Sequence, residues 1–205
     1  MVTRRPLIGL VVEGTIEYSA LPDFIRRLGL RATRPACLHG QPVEAPTEVL
    51  VSRHLAPHVR AQLLEGADYV WIVIDLESRR IDADEFCADV LGKLIKEIAR
   101  TESDSAARRL RVAICDRTFE NWLLADPKGL RRCKLIGRDL SKQVRCHADG
   151  KDAITILKSA MSRGVRYHKP VHSSKLARYI RVEDSNVKLC SESLRTFVKA
   201  LCSIP

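Results

Sequence analysis

The chain has 205 residues, enough for one domain with a substantial hydrophobic core or for one core with a smaller appendage. Lys and Arg number 35 against 25 Asp and Glu, and the net charge of +10 favours a polyanionic partner such as nucleic acid. Aromatic residues make up 5% of the chain, which argues against recognition of bases by stacking on an aromatic sheet.

Targeting signals and cysteine usage indicate where the protein works. The apolar run after "MVTRRP" is too short for a secretory signal, and no stretch approaches the roughly 20 apolar residues of a membrane span. The seven cysteines are scattered without any C-x-x-C pair, which is typical of a reducing compartment. We therefore expect a cytoplasmic protein.

The first part of the chain alternates apolar, β-branched runs with amphipathic patterns. In order, "LIGLVV" predicts a strand, "IEYSALPDFIRRLGL" a helix with Pro22 in its first turns, and "PACLHG" a short strand. "EVLVSRHLAPHVRAQLLEGA" predicts a helix bent near Pro57, "YVWIVI" a strand and "ADEFCADVLGKLIKEIAR" a helix. "RVAIC" then predicts a strand and "FENWLLAD" a helix. This alternation predicts an α/β fold with a mainly parallel sheet and helices on both faces.

The character of the sequence changes after residue 127. The stretch "GLRRCKLIGRDLSKQVRCHADGKD" is basic and poorly periodic. Helical patterns follow at "DAITILKSAMSR", "SKLARYIR" and "ESLRTFVKAL". We therefore predict a core over residues 1–127 and a basic, mostly helical C-terminal extension over residues 128–205 that packs on the core.

Carboxylates follow three of the predicted strands. In an open parallel sheet the carboxyl ends of the strands share one edge, which is where ligands bind. Taken singly, each acid is explained by a chain that re-enters water, or by a helix dipole. Taken together, they favour a site for Mg²⁺ or Mn²⁺, because hard cations prefer oxygen ligands. The acids are, in chain order, Glu13, Glu17, Asp75, Glu77, Asp116 and Glu120.

Three segments and the C-terminal tail, in this order along the chain, resemble a known family. "VVEGTIEYSAL" resembles the glutamate-glycine motif of the TOPRIM fold, which topoisomerases, primases and OLD-type nucleases share, and "VIDLE" stands where that fold has its Asp-x-Asp pair. "FENWLLADP" resembles the "fEaWLlaD" segment of a bacterial TOPRIM-like family of unknown function, family 4276 among such domains. "YHKP", "KLARYI" and "CSESLRTFVKAL" are similar to the C-terminal pattern of that family. The resemblance implies a TOPRIM-like, Rossmann-like core.

The resemblance also implies which residues act. Glu13, Asp75 and Glu77 would be the catalytic, metal-binding acids, and Glu17 and Glu120 would be further metal-binding candidates, with Glu120 also catalytic. Glu77 departs from the family pattern, because an aspartate is usual there. The longer side chain moves the carboxylate by about one methylene, which bears directly on the metal geometry.

Basic segments near the C-terminus supply candidates for phosphate contacts. Arg166 and Lys169 flank Tyr167, and Tyr167 and Lys169 match the Tyr-x-Lys of the family; Lys151 ends the earlier basic stretch. Lys and Arg side chains in such positions neutralise phosphates without reading base sequence. We assign Lys151, Arg166 and Lys169 as candidate nucleic-acid-binding residues.

Three functions fit this sequence. The first is a Mg²⁺- or Mn²⁺-dependent nuclease for DNA or RNA, which the resemblance places in bacterial anti-phage systems beside an ATPase partner. The second is a non-catalytic accessory subunit that binds nucleic acid or an ATPase through a degenerate TOPRIM site. The third is a phosphotransferase acting on a nucleotide. The sequence has no Walker A pattern, so it gives no sign of ATP hydrolysis by this chain alone.

The excess of positive charge predicts salt-sensitive binding to nucleic acid. We expect weak binding with little sequence preference, and an affinity that falls by roughly tenfold or more when salt rises from about 50 to about 200 mM. A fluorescence anisotropy titration with labelled DNA and RNA at several salt concentrations measures this slope. Salt-insensitive binding, or no binding at low ionic strength, contradicts a nucleic-acid partner.

Overall fold

The computed structural model describes residues 4–38, 45–77 and 79–204 of the chain. The described chain divides into two compact units. The first runs to Ile114 and takes in Ile204, and the second covers Cys115–Ser203. The core predicted from the sequence extended to residue 127. The packing of the C-terminal extension on that core stays a prediction.

The first unit contains a five-stranded sheet, in the order β2-β1-β4-β5, with β3 also paired to β1. The pairings of β1 with β2, β3 and β4 are all parallel. This arrangement, together with the flanking helices, confirms the predicted α/β class with a mainly parallel, Rossmann-like sheet. The strands are β1 (Leu7–Val12), β2 (Arg31–Ala32), β3 (Ala36–Cys37), β4 (Tyr69–Asp75) and β5 (Leu110–Cys115).

Helices connect these strands, and two differ from the sequence prediction. Pro22 lies near the middle of α1 and not in its first turns, so one backbone hydrogen bond is lost inside the helix. The segment before β4 combines α-helical and π-helical turns, and Pro57 lies in the first turn of α3. The helical elements are α1 (Thr15–Arg27), α2 (Thr47–Val49), a π-helical segment (Leu50–Leu55), α3 (Ala56–Leu64), α4 (Ala83–Ala99) and α5 (Asp104–Ala107).

The hydrophobic core of the first unit lies between β4 and the helices α3 and α4. Every second residue of β4, from Val70 through Ile72 to Ile74, belongs to one buried apolar cluster with Val59 of α3 and Val90 of α4. The residues between them on β4 are also buried, so the strand is covered on both faces. A continuous apolar run is the pattern of such a strand, and it explains why β4 is recognisable in the sequence.

A buried glutamine fills a gap in the sheet. Strands β2 and β3 pair with the two ends of β1 and leave its centre without a strand partner on that side. The side-chain Oε1 of Gln62, on α3, accepts hydrogen bonds from the Leu10 backbone N–H at 3.0 Å and from the Thr33 hydroxyl. Its Nε2 donates to the Arg34 carbonyl at 3.2 Å. Gln62 thus satisfies backbone groups that an interrupted strand leaves exposed to the core.

The second unit is helical, and a buried ion pair connects distant parts of it. Asp126 is 1% exposed, and Arg181 donates to both of its carboxylate oxygens at 2.8 and 2.6 Å. Burial raises the pKa of Asp126, but hydrogen bonds from Arg181 and Gly129 outweigh it, so the net pKa is lowered. The helices are α6 (Phe119–Leu124), α7 (Pro127–Arg131), α8 (Ser141–Val144), α9 (Ala153–Ala160), α10 (Lys169–Ala177), α11 (Ser185–Leu189) and α12 (Glu192–Cys202).

Most of the longer predicted elements are confirmed, with shifted bounds. The strand predicted in "PACLHG" is the two-residue β3, and the last two letters of that segment lie outside the described residues. The helix predicted at "SKLARYIR" begins earlier, at Lys169. No described helix has the length and apolarity that crossing a membrane requires.

A glycine at the centre of β1 permits the close approach of α3. A Cβ on Gly9 would lie 2.9 Å from the Ala67 Cβ and 3.0 Å from the Gln62 Cβ. We therefore expect Gly9→Ala to lower the free energy of unfolding by roughly 1–3 kcal/mol, because this contact is overpacked. Gly92 on α4 has open space around it, so Gly92→Ala should raise that free energy by roughly 0.5–1 kcal/mol. Urea denaturation measures both, and equal effects of the two variants contradict the packing argument.

Candidate active site

The ends of β1 and β4 bring two of the predicted acids together. Val12 is the register partner of Val73, and the Glu13 backbone N–H donates to the Val73 carbonyl at 3.3 Å. Asp75 lies two residues further along β4 than Val73. Its backbone N–H donates to Oε2 of the Glu13 side chain at 2.9 Å. The expectation that Glu13 and Asp75 share one edge of the sheet is confirmed. Asp75 is 6% exposed, so this edge holds a nearly buried carboxylate.

Glu17 lies against the turn that follows β1. A Cβ on Gly14 would lie 2.6 Å from Glu17 Oε2, so the carboxylate occupies space that only glycine leaves open. Glu17 is 3% exposed although it stands in the first turn of α1. A structural helix-capping acid is normally solvated, whereas this carboxylate is folded back over the backbone beside Glu13. The glycine of the "EG" pair is therefore required by a neighbouring side chain and not by its own backbone conformation.

Cys37, at the end of β3, lies beside these acids. Its thiol is 3.8 Å from the Glu13 carbonyl oxygen. Burial raises the pKa of Cys37, and the negative charge of Glu17 raises it further. Both effects favour the protonated thiol over the thiolate. No pattern in the sequence places Cys37 at this edge.

Glu77 stands two residues beyond β4 in a turn. Its φ of 49° lies in the left-handed region that glutamate rarely adopts. The side chain is partly exposed, unlike those of Glu17 and Asp75. Such a conformation costs about 1 kcal/mol or more and is frequent at binding sites. Its predicted role as a metal ligand stays a prediction.

The donor set at this edge suits a hard divalent cation. Among the residues that the structure describes, no group of three or more Asp, Glu, His or Cys side chains is arranged to hold a metal ion. Mg²⁺ is commonly bound by only one or two carboxylates, with water and substrate phosphate as the other ligands. The adjacent Glu13 and Asp75 match a set of that size.

Glu120, in the second unit, has a different environment. It is fully buried, and its Oε1 accepts hydrogen bonds from the Ser173 hydroxyl at 3.0 Å and the Tyr167 hydroxyl at 3.4 Å. The Lys169 ammonium lies 3.4 Å from its Oε2. Burial, and then the charge of Glu120, raise the pKa of Tyr167, so the phenol stays protonated and can donate. The Tyr-x-Lys segment is therefore built around Glu120.

Helix α6 positions the candidate phosphate-contact residues. The buried Asn121, next to Glu120, donates from Nδ2 to the carbonyls of Ala148 at 2.7 Å and Lys151 at 3.0 Å. Lys169 begins α10, where its side chain is 37% exposed beside Glu120. Sequence reasoning missed the roles of Asn121, which stands in "FENWLLADP", and of Ser173, because their contacts span about 30 residues or more.

Two of the predicted acids belong to the second unit, apart in sequence from the strand ends of the first. Asp116 directly follows β5, and Glu120 begins the ion-paired cluster just described. Their participation in one metal site with Glu13 and Asp75 stays a prediction. Arg166 is exposed and Lys151 partly exposed, which is compatible with contacts to a phosphate backbone.

One family matches nearly the whole chain. Residues 12–202 match the family described as "Domain of unknown function (DUF4276)". The chain belongs to this family. Its match begins at the last residue of β1, directly before Glu13, and ends within α12, so it includes every candidate site residue named above. Searches of curated proteins and of solved structures return no match.

The contact between Glu120 and Lys169 predicts a measurable energetic coupling. We expect Lys169→Met to lower the free energy of unfolding by about 1–2 kcal/mol, because a buried carboxylate loses its cation. Glu120→Gln in the same background should recover part of this loss, with a coupling energy of about 1 kcal/mol in a double-mutant cycle. Chemical denaturation of the four proteins measures the cycle.

Lys175 provides the matched control for this cycle. It is exposed on the same helix, α10, and Lys175→Met removes the same charge. We expect less than about 0.5 kcal/mol from it, as for most surface substitutions. A coupling energy near zero for Glu120 and Lys169, or an equal loss with Lys175→Met, contradicts the ion-pair assignment.

Proposed function

We propose that this chain is a divalent-metal-dependent nuclease that hydrolyses phosphodiester bonds of DNA or RNA. The observation that supports the proposal best is the hydrogen bond from the Asp75 amide to the Glu13 carboxylate. It holds two acids side by side at the carboxyl edge of a parallel sheet, where open α/β folds bind ligands. The nearly buried Glu17 adds a third carboxylate to the same turn.

Mg²⁺ or Mn²⁺ would bind to Glu13 and Asp75, with Glu17 and Glu77 as further oxygen ligands. When bound, such an ion lowers the pKa of a water molecule and stabilises the charge that develops on the phosphate. Asp75 orients Glu13 through its backbone amide, and Gly14 leaves room for the Glu17 carboxylate. The resemblance to TOPRIM nucleases supports the same assignment of Glu13, Asp75 and Glu77.

The basic residues of the second unit would bind the nucleic-acid backbone. The Glu120 carboxylate, buried and hydrogen-bonded, positions the Lys169 ammonium, which keeps further N–H donors for a phosphate oxygen. Lys151 and Arg166 would contribute additional, sequence-independent phosphate contacts. In this proposal Glu120, which the family resemblance implies is catalytic, acts through Lys169.

The biological setting of the proposal is a bacterial anti-phage system. The family resemblance suggests an effector that works beside an ATPase partner. The sequence contains no Walker A pattern, so ATP binding and hydrolysis would come from that partner. Activity that appears only with the ATPase present is compatible with the proposal.

A second function is a non-catalytic subunit that binds nucleic acid or an ATPase. Two observations favour it. Glu13 already accepts a backbone hydrogen bond and Glu120 already has a cation beside it, as structural carboxylates do. In addition, the described residues include no ready-made group of three metal ligands. Metal-dependent cleavage distinguishes the two functions.

Removing single charges at the strand ends tests the nuclease. We expect Glu13→Gln and Asp75→Asn each to abolish Mg²⁺- or Mn²⁺-dependent cleavage, because each removes a metal-binding charge while its shape is kept. In metal-free buffer each variant should melt at the same temperature as the wild type or slightly higher, because repulsion between like charges is relieved. Gel assays on labelled DNA and RNA, with the candidate ATPase added, and thermal melting measure both effects.

Two further variants make this experiment decisive. Glu102→Gln removes an exposed acid of the first unit and should leave cleavage unchanged. Glu77→Asp restores the residue that is usual in the family. Retained or increased activity of this variant would show that the aspartate geometry suffices. A decrease in activity would show that the site has adapted to glutamate. Equal cleavage by the wild type, Glu13→Gln and Asp75→Asn contradicts the active-site assignment and favours the accessory subunit.

A further inference from the structure

The first unit has a cavity at the sheet edge opposite the acids. Its volume is about 440 Å³, and it lies where β1, β4 and β5 begin. Small-molecule sites typically have volumes of roughly 300–1,000 Å³, so this cavity has the size of a binding site. Strands of six or seven residues separate it from Glu13 and Asp75, a distance of about 20 Å. Its lining residues are Arg4, Pro6, Asp68, Tyr69 and Arg109.

The guanidinium of Arg109 points to an anionic ligand. Its Nη1 donates to the Ala67 carbonyl at 3.3 Å, whereas its Nε is buried and has no hydrogen-bond acceptor among residues 4–38, 45–77 and 79–204. Within the same ranges no carboxylate forms an ion pair with Arg109. Arg109 therefore brings to the cavity lining a positive charge that no carboxylate in those ranges balances, and an anion in the cavity would balance it.

The other charges around the cavity leave a positive balance. The Asp68 carboxylate accepts the Leu7 backbone N–H at 2.7 Å and lies 3.7 Å from the Arg4 guanidinium. The lining thus sets one carboxylate against the guanidinium groups of Arg4 and Arg109, and its net charge is positive. The guanidinium of Arg111 adds another positive charge next to the cavity, since it lies over the Tyr69 ring at 5.6 Å. Arg111 is held in place because its Nη1 donates to two backbone carbonyls.

The walls of the cavity supply both apolar and hydroxyl-accepting groups. Pro6 and Tyr69 provide apolar surface, and Asp68 provides a carboxylate that accepts hydrogen bonds from hydroxyl groups. Guanidinium groups match the oxygens of a phosphate in a forked geometry. A phosphate joined to a hydroxylated sugar therefore matches the whole lining, whereas a bare anion would use only its arginines.

We propose that this cavity binds a small phosphate ester of a sugar, with Arg109 and Arg4 on the phosphate and Asp68 on a sugar hydroxyl. The site is distinct from the proposed nuclease site, because it uses the amino ends of the same strands whose carboxyl ends hold Glu13 and Asp75. A ligand bound there would contact Pro6, directly before β1, and Tyr69, the first residue of β4.

Calorimetric titration of the full chain with ribose 5-phosphate tests the proposal. EDTA in the buffer removes any contribution from a metal at the strand-end acids, so failure here is distinguishable from failure of the nuclease. We expect Arg109→Met to weaken binding by about tenfold or more, because a charge-assisted hydrogen bond is lost. Arg4→Met should weaken it about threefold, because this side chain is largely exposed.

Arg108→Met is the matched control, since Arg108 is exposed, adjacent in sequence and absent from the cavity lining. It should leave binding of ribose 5-phosphate unchanged. If Arg109→Met fails to fold, Arg4→Met decides the result, because truncating an exposed side chain leaves the core intact. Binding that is lost with Arg109→Met or Arg4→Met, and retained with Arg108→Met, supports the site.

Four results would overturn the proposal. The first is no binding of ribose 5-phosphate at millimolar concentration. The second is an equal loss with Arg108→Met, which would mark a general charge effect. The third is that inorganic phosphate binds as tightly as ribose 5-phosphate. The fourth is that a short single-stranded oligonucleotide binds clearly more tightly than ribose 5-phosphate, which would assign these arginines to a nucleic-acid surface.

Discussion

The parallel pairing of β1 with β4 is the constraint on which the first unit depends. The two strands are buried on both faces, so their register is set by apolar contacts on each side as well as by backbone hydrogen bonds. The same register places the Asp75 amide against the Glu13 carboxylate at one end. At the other end it places Leu7 against Asp68, beside the cavity. One strand pair therefore positions both candidate sites.

Buried polar side chains complete the two units. Gln62 replaces missing strand hydrogen bonds at the centre of β1, and the pair of Asp126 with Arg181 joins residues 55 positions apart in the second unit. Each group is costly to bury unless its partners are present. These contacts therefore specify one arrangement of the chain, because alternative packings would leave the same groups without partners.

The two candidate functions, nuclease and accessory subunit, assign different roles to the buried carboxylates. A carboxylate has two oxygens and about four sites for accepting hydrogen bonds, and in the proposed nuclease Glu13 would bind the cation through sites other than the one that the Asp75 amide uses. Glu120 differs, because the Lys169 ammonium already balances its charge. The proposed nuclease therefore assigns the metal to the acids of the first unit and a positioning role to Glu120 of the second.

Sequence patterns predicted the longer elements and missed the shorter ones for physical reasons. Strand β4 is recognisable because a strand covered on both faces is apolar throughout, and α4 because its apolar residues recur with the helical period. The two-residue strand β2 and short helices such as α5 and α11 have too few residues for either period to appear. Pro22 was expected near a helix start, but the packing of α1 tolerates it near the middle.

The sequence by itself determined that Glu13 and Asp75 share an edge, because the carboxyl ends of adjacent parallel strands always meet. It also identified Glu120 and Lys169 as notable residues through their motifs. Only the tertiary structure decided that Lys169 faces Glu120, and that Arg109 reaches a cavity beside Asp68. Those contacts join residues about 40 to 50 positions apart, and their geometry follows from how whole helices and strands pack. No local periodicity in the chain encodes that packing.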